Sequence, residues 1–173
     1  MKRNIITSII IGTILLFVAC QSQQSPLQKA QEKDKWKITF GTISNQPLPP
    51  KAQIADYLRN AIDGTVNTYW QSCAEAHAGM YLDLDLNTPV TIRGIVLDSS
   101  LKTLGEDYPR GLVIYGATKE GKWKELARDY NTKPIKGKVT MEFAPTEVQY
   151  LRLRLLGGAP NKWWSVCEID LLE

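Results

Sequence analysis

Histidine occurs once in these 173 residues, at position 77, and cysteine three times, at 20, 73 and 167. There is no His-Glu-x-x-His, no nucleophile elbow and no phosphate-binding loop, so the motifs of zinc peptidases, α/β-hydrolases and nucleotide-phosphate enzymes are missing. A zinc site built from Cys73, His77 and Cys167 lacks a fourth ligand at ordinary spacing. Asp83 and Asp85 stand two apart, and carboxylates so placed on a strand face solvent more often than they form an acid/base pair. No enzyme is expected. A block of Lys and Arg is absent too. The 21 basic and 18 acidic residues become 19 and 18 once residues 1–19, which hold Lys2, Arg3 and no acid, are set aside. A near-neutral chain has no electrostatic footprint for nucleic acid or for a strongly anionic lipid surface.

The chain has only one long apolar run, Ile5 to Val18, which follows Lys2-Arg3 and is too short for a dependable membrane span. It reads as an export signal. Its end, Phe17-Val18-Ala19-Cys20, resembles a bacterial lipobox, with Phe17 where Leu is usual. That likeness implies a signal peptide over 1–19, an acylated Cys20 as the new N-terminus, and a place on the bacterial cell envelope, at the outer membrane or cell surface. The next residues, 20–35, are rich in Gln, Lys, Ser and Glu and read as a solvated, lipid-anchored tether. Residues 36–173 suit one domain, with no internal repeat.

That domain reads as all-β. Met80, Leu82, Leu84 and Leu86 alternate with Tyr81, Asp83 and Asp85; Val139, Met141 and Phe143 with Thr140 and Glu142; Leu151, Leu153 and Leu155 with Arg152 and Arg154. Period-two alternation predicts strands with one wet face. The continuous run Leu112 to Tyr115 predicts a strand covered on both sides, and Lys119 to Lys122 a turn leading to Trp123. Pro89, Pro109, Pro145 and Pro160 are expected between strands, and only Ile54 to Ala61 has helical spacing. Short antiparallel strands separated by turn residues imply a sandwich or jelly roll.

Asn60 to Trp70 packs Asp63, Gly64, Thr65, Asn67 and Thr68 into six positions. Such a loop is either an ordinary solvated turn or a cradle of oxygens for a hard cation. At the far end, Glu168 lies inside the apolar, aromatic run Trp163 to Ile169 and needs a partner if buried.

These two stretches, with Leu82-Asp83-Leu84-Asp85-Leu86, Asp107-Tyr108-Pro109-Arg110-Gly111, Gly121-Lys122-Trp123 and Tyr150-Leu151-Arg152-Leu153 between them, resemble the coagulation factor 5/8 type C (discoidin) domain and the family 32 carbohydrate-binding modules over roughly residues 36–173. The resemblance implies an eight-stranded, galactose-binding-domain-like β-sandwich. It also implies a structural calcium ion held by backbone carbonyls of Asn60, Thr65 and Cys167 and by side chains of Asp63, Thr68 and Glu168; the alternative is a hydrogen-bonded cluster with no metal. A calcium ion there would bring the neighbourhoods of Cys73 and Cys167 close, so these two form either a disulfide or two separate thiols.

In the carbohydrate-binding relatives the sugar lies on loops at one end of the sandwich. The candidates here are His77, Tyr108, Arg110, Asn161 and Trp164, with Arg110 alternatively bracing Asp107. Trp163 is expected in the core, Trp164 as stacking platform or calcium-site wall, and Trp70 and Trp123 in packing. No Arg-x-x-x-x-Asn pair of the galactose-binding kind is present. The function implied is a non-catalytic, calcium-stabilised glycan-binding lipoprotein. The alternative is a subunit that docks on another envelope protein through the same loops.

Overall fold

The computed structural model describes residues 32–43, 57–101 and 106–172. The signal segment, Cys20 with its lipidation, most of the tether, and residues 54–56 of the helical stretch lie outside the described residues.

Two long strands organise the domain. β1 covers Lys37–Thr42 and β2 Trp70–Gln71. β3 (Met80–Asp98) sends Met80, Leu82, Leu84 and Leu86 into the core and leaves Tyr81, Asp83 and Asp85 half-buried. β4 (Leu112–Ala117) and β5 (Lys124–Asp129) follow, and then β6 (Lys138–Leu155), which buries Leu151, Leu153 and Leu155 and turns Arg152 and Arg154 outward. β3 and β6 pair antiparallel from Tyr81 opposite Arg154 to Asp98 opposite Lys138. The alternating segments at 139–143 and 151–155 are therefore the two ends of one strand. Pro89 and Pro145, expected between strands, lie within them. They sit where the ladder loses register, between Asp85 and Val90 and opposite the break between Ile92 and Gly94. A bulge leaves positions unpaired, and an imide nitrogen without a hydrogen does no harm there.

Beyond the breaks β3 changes partners. Its first half pairs β1, with Asp85 opposite Lys37, and its second half pairs β8 (Glu168–Leu172), with Asp98 opposite Glu168. On the other edge of β6 come β4 and then β5, while β2 pairs only with β7 (Ser165–Val166). Bent long strands shared between layers make an antiparallel β-sandwich of the jelly-roll kind. β4 is covered on both faces at Leu112, Val113 and Ile114, and Lys122 N–H closes the 119–122 turn on Lys119 O at 3.1 Å.

An aromatic cluster closes one side of the core. Trp70 is fully buried and meets Phe40 edge-on at 5.0 Å and Trp164 at 5.5 Å, the indoles crossing at 82°. On the outer face Arg152 donates two 2.7 Å hydrogen bonds to Asp83 and lies between the rings of Tyr81 and Trp123, 4.2 and 4.7 Å from their centroids. Trp123 thus packs as expected, but against a guanidinium on the sheet surface. The helical stretch ends in a 3-10 turn, Arg59–Ile62, that buries Ala61 and Ile62. Residues 33–35, assigned above to the solvated tether, form another 3-10 turn, and the Lys33 side chain reaches β8. The folded unit begins before residue 36.

Candidate functional site

β7 and β8 are separated by Cys167, whose N–H turns aside to bond Asp98 O at 2.7 Å. That interruption sets the positions of the residues around it. Residues 164–169 are all buried, so the run has no inward and outward parity to count. Trp164 is 0% exposed and is fixed from both sides by Ser72. Ser72 N–H donates to Trp164 O at 2.8 Å, and Trp164 N–H donates to Ser72 Oγ at 3.0 Å. Trp163 is 41% exposed. The two expectations are reversed: Trp164 is core, and Trp163 is the ring available at the surface.

Three loops meet at this end. Ala76 N–H bonds Lys162 O at 2.7 Å, Asn161 N–H bonds Glu75 Oε1 at 3.2 Å, and Ser165 N–H bonds Asp107 O at 2.8 Å. Gly158 lies against the Ala76 carbonyl so closely that a Cβ would overlap it. The loops bring His77, Tyr108, Arg110 and Asn161 to one end of the sandwich, with most of their polar atoms engaged inside the protein. His77 is half-buried, with its ring nitrogens near Thr42 Oγ1 and Glu75 O. Arg110 stacks on Tyr108 at 4.5 Å, bonds its hydroxyl, and reaches the Glu106 carboxylate at 3.2 Å. The acid it braces is Glu106 and not Asp107. Asn161 is exposed with φ of 56°, a turn conformation that Asn tolerates.

Asp107 has a different task. Its carboxylate accepts from Gln71 Nε2 at 3.2 Å and from the Trp163 backbone N–H at 3.3 Å, tying the backbone at Trp163 to β2. Next to Gln71 opens a cleft of about 490 Å³ lined by Tyr57, Asn60, Asn67, Thr68, Tyr69, Gln71 and Cys73. Tyr57 is 60% and Tyr69 37% exposed. Asn60 Nδ2 donates to Tyr69 O at 3.0 Å and ties the cleft's two sides together. The sequence pattern placed Asn60 and Thr68 around a cation, counted Asn67 in the same oxygen-rich loop, and gave Tyr57, Tyr69 and Gln71 no role in a site. The available signal was the parity of Tyr69 and Gln71 about the buried Trp70.

The Asp63 loop and Glu168 do converge, since Gly64 N–H donates to Glu168 Oε2 at 2.7 Å. The carboxylates there already have protein partners. Asp63 accepts from Thr65 N–H at 3.0 Å and Thr68 Oγ at 2.5 Å, and the other oxygen of Glu168 accepts from Lys33 Nζ at 2.6 Å. A divalent ion on Glu168 would share that carboxylate with an ammonium group, and like charges so close repel strongly. With Lys33 in place the set Asn60, Asp63, Thr65, Thr68, Cys167 and Glu168 does not fit calcium. Burial pushes the Glu168 carboxyl above its ordinary range against the opposing pull of Lys33 and Gly64. Burial likewise raises the Cys167 thiol. Cys73 is exposed at the cleft and Cys167 buried, and both are free, so of the two alternatives the structure has two separate thiols.

A family model described as "F5/8 type C domain" matches residues 51–169. No curated protein sequence matches the chain. Among solved structures, it is similar to CpGH89CBM32-5 from Clostridium perfringens, in complex with GalNAc-beta-1,3-galactose, at 16% identity and a TM-score of 0.63, over 82% of this chain and 97% of that one. The family 32 carbohydrate-binding module of C. perfringens NanJ, in complex with galactose, aligns at 16% identity and a TM-score of 0.59, over 80% and 94%. Chitosan-binding module 2 from a Paenibacillus chitosanase/glucanase, in complex with chitotriose, aligns at 17% and 0.60, over 79% and 95%. At these identities the likeness is one of fold.

Proposed function

Because this chain belongs to the F5/8 type C domain family, we propose that it is a carbohydrate-binding module whose ligand lies in the cleft between Tyr57, Tyr69 and Gln71 and reaches the exposed Trp163, whose backbone N–H shares the Asp107 carboxylate with Gln71. The observation that carries the proposal is the cleft's lining. A pyranose presents C–H groups on its faces and hydroxyls at its edge, so it takes a flat ring and fixed donors and acceptors. Tyr57 and Tyr69 supply the rings, and Asn60, Asn67, Gln71 and Thr68 the polar groups. No Asp, Glu, Lys, Arg or His lines the cleft. This favours neutral sugars over uronates or amino sugars, whose charge would lose hydration without gaining a partner. The role is binding without turnover. Of the two candidate acid/base carboxylates, Asp83 is held by Arg152, while Asp85 accepts from Gln149 and Asn87. The Lys2-Arg3 start, the apolar run and the Cys20 context support display on the bacterial envelope through an acyl anchor.

Affinity electrophoresis and a glycan array on the secreted portion test this reading. Retardation by a neutral glycan that is lost in Tyr69→Ala and weakened in Trp163→Ala supports it. Silence across neutral glycans, with one envelope protein recovered by pull-down, would replace it with the docking reading. Binding that survives Tyr69→Ala would move the site elsewhere.

A further inference from the structure

Lys33 is an unusual residue to find fixed, because it stands in a segment whose composition reads as solvated. Its side chain is only 14% exposed, and its ammonium lies 2.6 Å from Glu168 Oε1 and 2.5 Å from Asp170 Oδ1. The backbone that presents it is held as well. The Arg59 guanidinium donates to the carbonyls of Lys33, Asp34 and Trp36 at 3.2, 3.3 and 2.7 Å, and Trp36 is buried with Lys33 Nζ 5.8 Å from its ring centroid. Two clamps therefore act on one short turn: Arg59 on its carbonyls and β8 on its side chain. On the other oxygen of Glu168 sits Gly64 N–H, so a single buried carboxylate joins the N-terminal turn, the Asp63 loop and the last strand.

We propose that Lys33 is a built-in counter-ion that does the stapling for which the sequence pattern suggested calcium, so that this domain closes its first loop on β8 without a divalent metal. The chemistry follows from the charges. Glu168 and Asp170 both face the ammonium, and without it they face each other. Lys33 is also the only cationic side chain within salt-bridge distance of either acid among the described residues. Removing it leaves the buried Glu168 carboxylate beside the half-exposed Asp170 with no counter-ion, a place that a hard cation from solution can fill. The proposal implies a latent cation site that the lysine normally covers. It also implies that the cleft loop, which contains both Asp63 and Tyr69, takes its position partly from a residue outside that loop.

The test is thermal unfolding of the secreted portion with EDTA, with millimolar CaCl2 and with MgCl2, for wild type, Lys33→Met, Lys33→Arg and the double variant Lys33→Met/Glu168→Gln. Wild type is expected to melt at the same temperature, within about 1 °C, in EDTA and in calcium. Lys33→Met should melt lower in EDTA and recover part of the loss in calcium, with less recovery in magnesium, while Lys33→Arg stays close to wild type. The double variant should melt above Lys33→Met in EDTA and show no calcium response, which separates charge repair from general misfolding. A wild type that loses stability on chelation and regains it with calcium would overturn the proposal. So would a Lys33→Met as stable in EDTA as wild type.

Discussion

Adjacent tryptophans with opposite surroundings give the sharpest check on this fold. Trp164 is 0% exposed and packs edge-on against Trp70, whereas Trp163 is 41% exposed and is held by its backbone on Asp107. Truncating a buried Phe or Trp to Ala costs about 3–5 kcal/mol, because the transfer free energy is lost and the cavity collapses only in part. Against a total stability of about 5–15 kcal/mol this is a large fraction. At roughly 3–4 °C per kcal/mol for a domain of this size, Trp164→Ala should lower the melting temperature by about 10–20 °C. Trp163→Ala removes no buried area comparable to that and should stay within about 0.5 kcal/mol. Urea unfolding followed by far-UV circular dichroism, which does not depend on the tryptophans removed, measures both. Should the variant unfold outright, Trp164→Phe provides a milder step with the same sign. Equal losses for the two alanine variants, or a larger loss at Trp163, would refute the assignment of core and surface.

Two further perturbations probe the sheet face and the loop junction. The Asp83–Arg152 pair is half-buried, bidentate and stacked between two rings, so a double-mutant cycle with Asp83→Asn and Arg152→Met should give a coupling of about 1–2 kcal/mol that 1 M salt reduces only partly. A coupling near zero would make the pair a surface ornament. Gly158→Ala forces a methyl into the Ala76 carbonyl and should part the 75–77 and 158–162 loops, costing about 1–3 kcal/mol and speeding protease cleavage there. Wild-type resistance in that variant would show that the loops are not locked together.

Features carried by local alternation were legible in the sequence. The buried leucines at 82, 84 and 86 and at 151, 153 and 155 stand on the expected faces because the strand period is local. Strand length was not legible. A proline reads as punctuation within one segment, and whether it falls between strands or in a bulge depends on the partner strand, as Pro89 and Pro145 show. The Trp163 and Trp164 faces were reversed for a related reason. Parity is counted along one strand, and Cys167 ends one ladder and begins another. The cleft residues gave little signal, since a polar turn sequence looks the same whether or not it borders a cavity.

Glu168 is the instructive case. One carboxylate in an apolar, aromatic run could be read correctly as needing a positive partner, because an unpaired buried charge costs far more than any surface arrangement. The identity of that partner was not written nearby. Lys33 lies 135 positions away, in a stretch of lysines, glutamines and serines where no single residue stands out. An acid buried among aromatic side chains reports that a cation must meet it. Whether the charge arrives as a free ion or as an amino group on the same chain is decided by where the fold brings the chain's start, and that depends on Arg59 and Trp36 holding the turn in place.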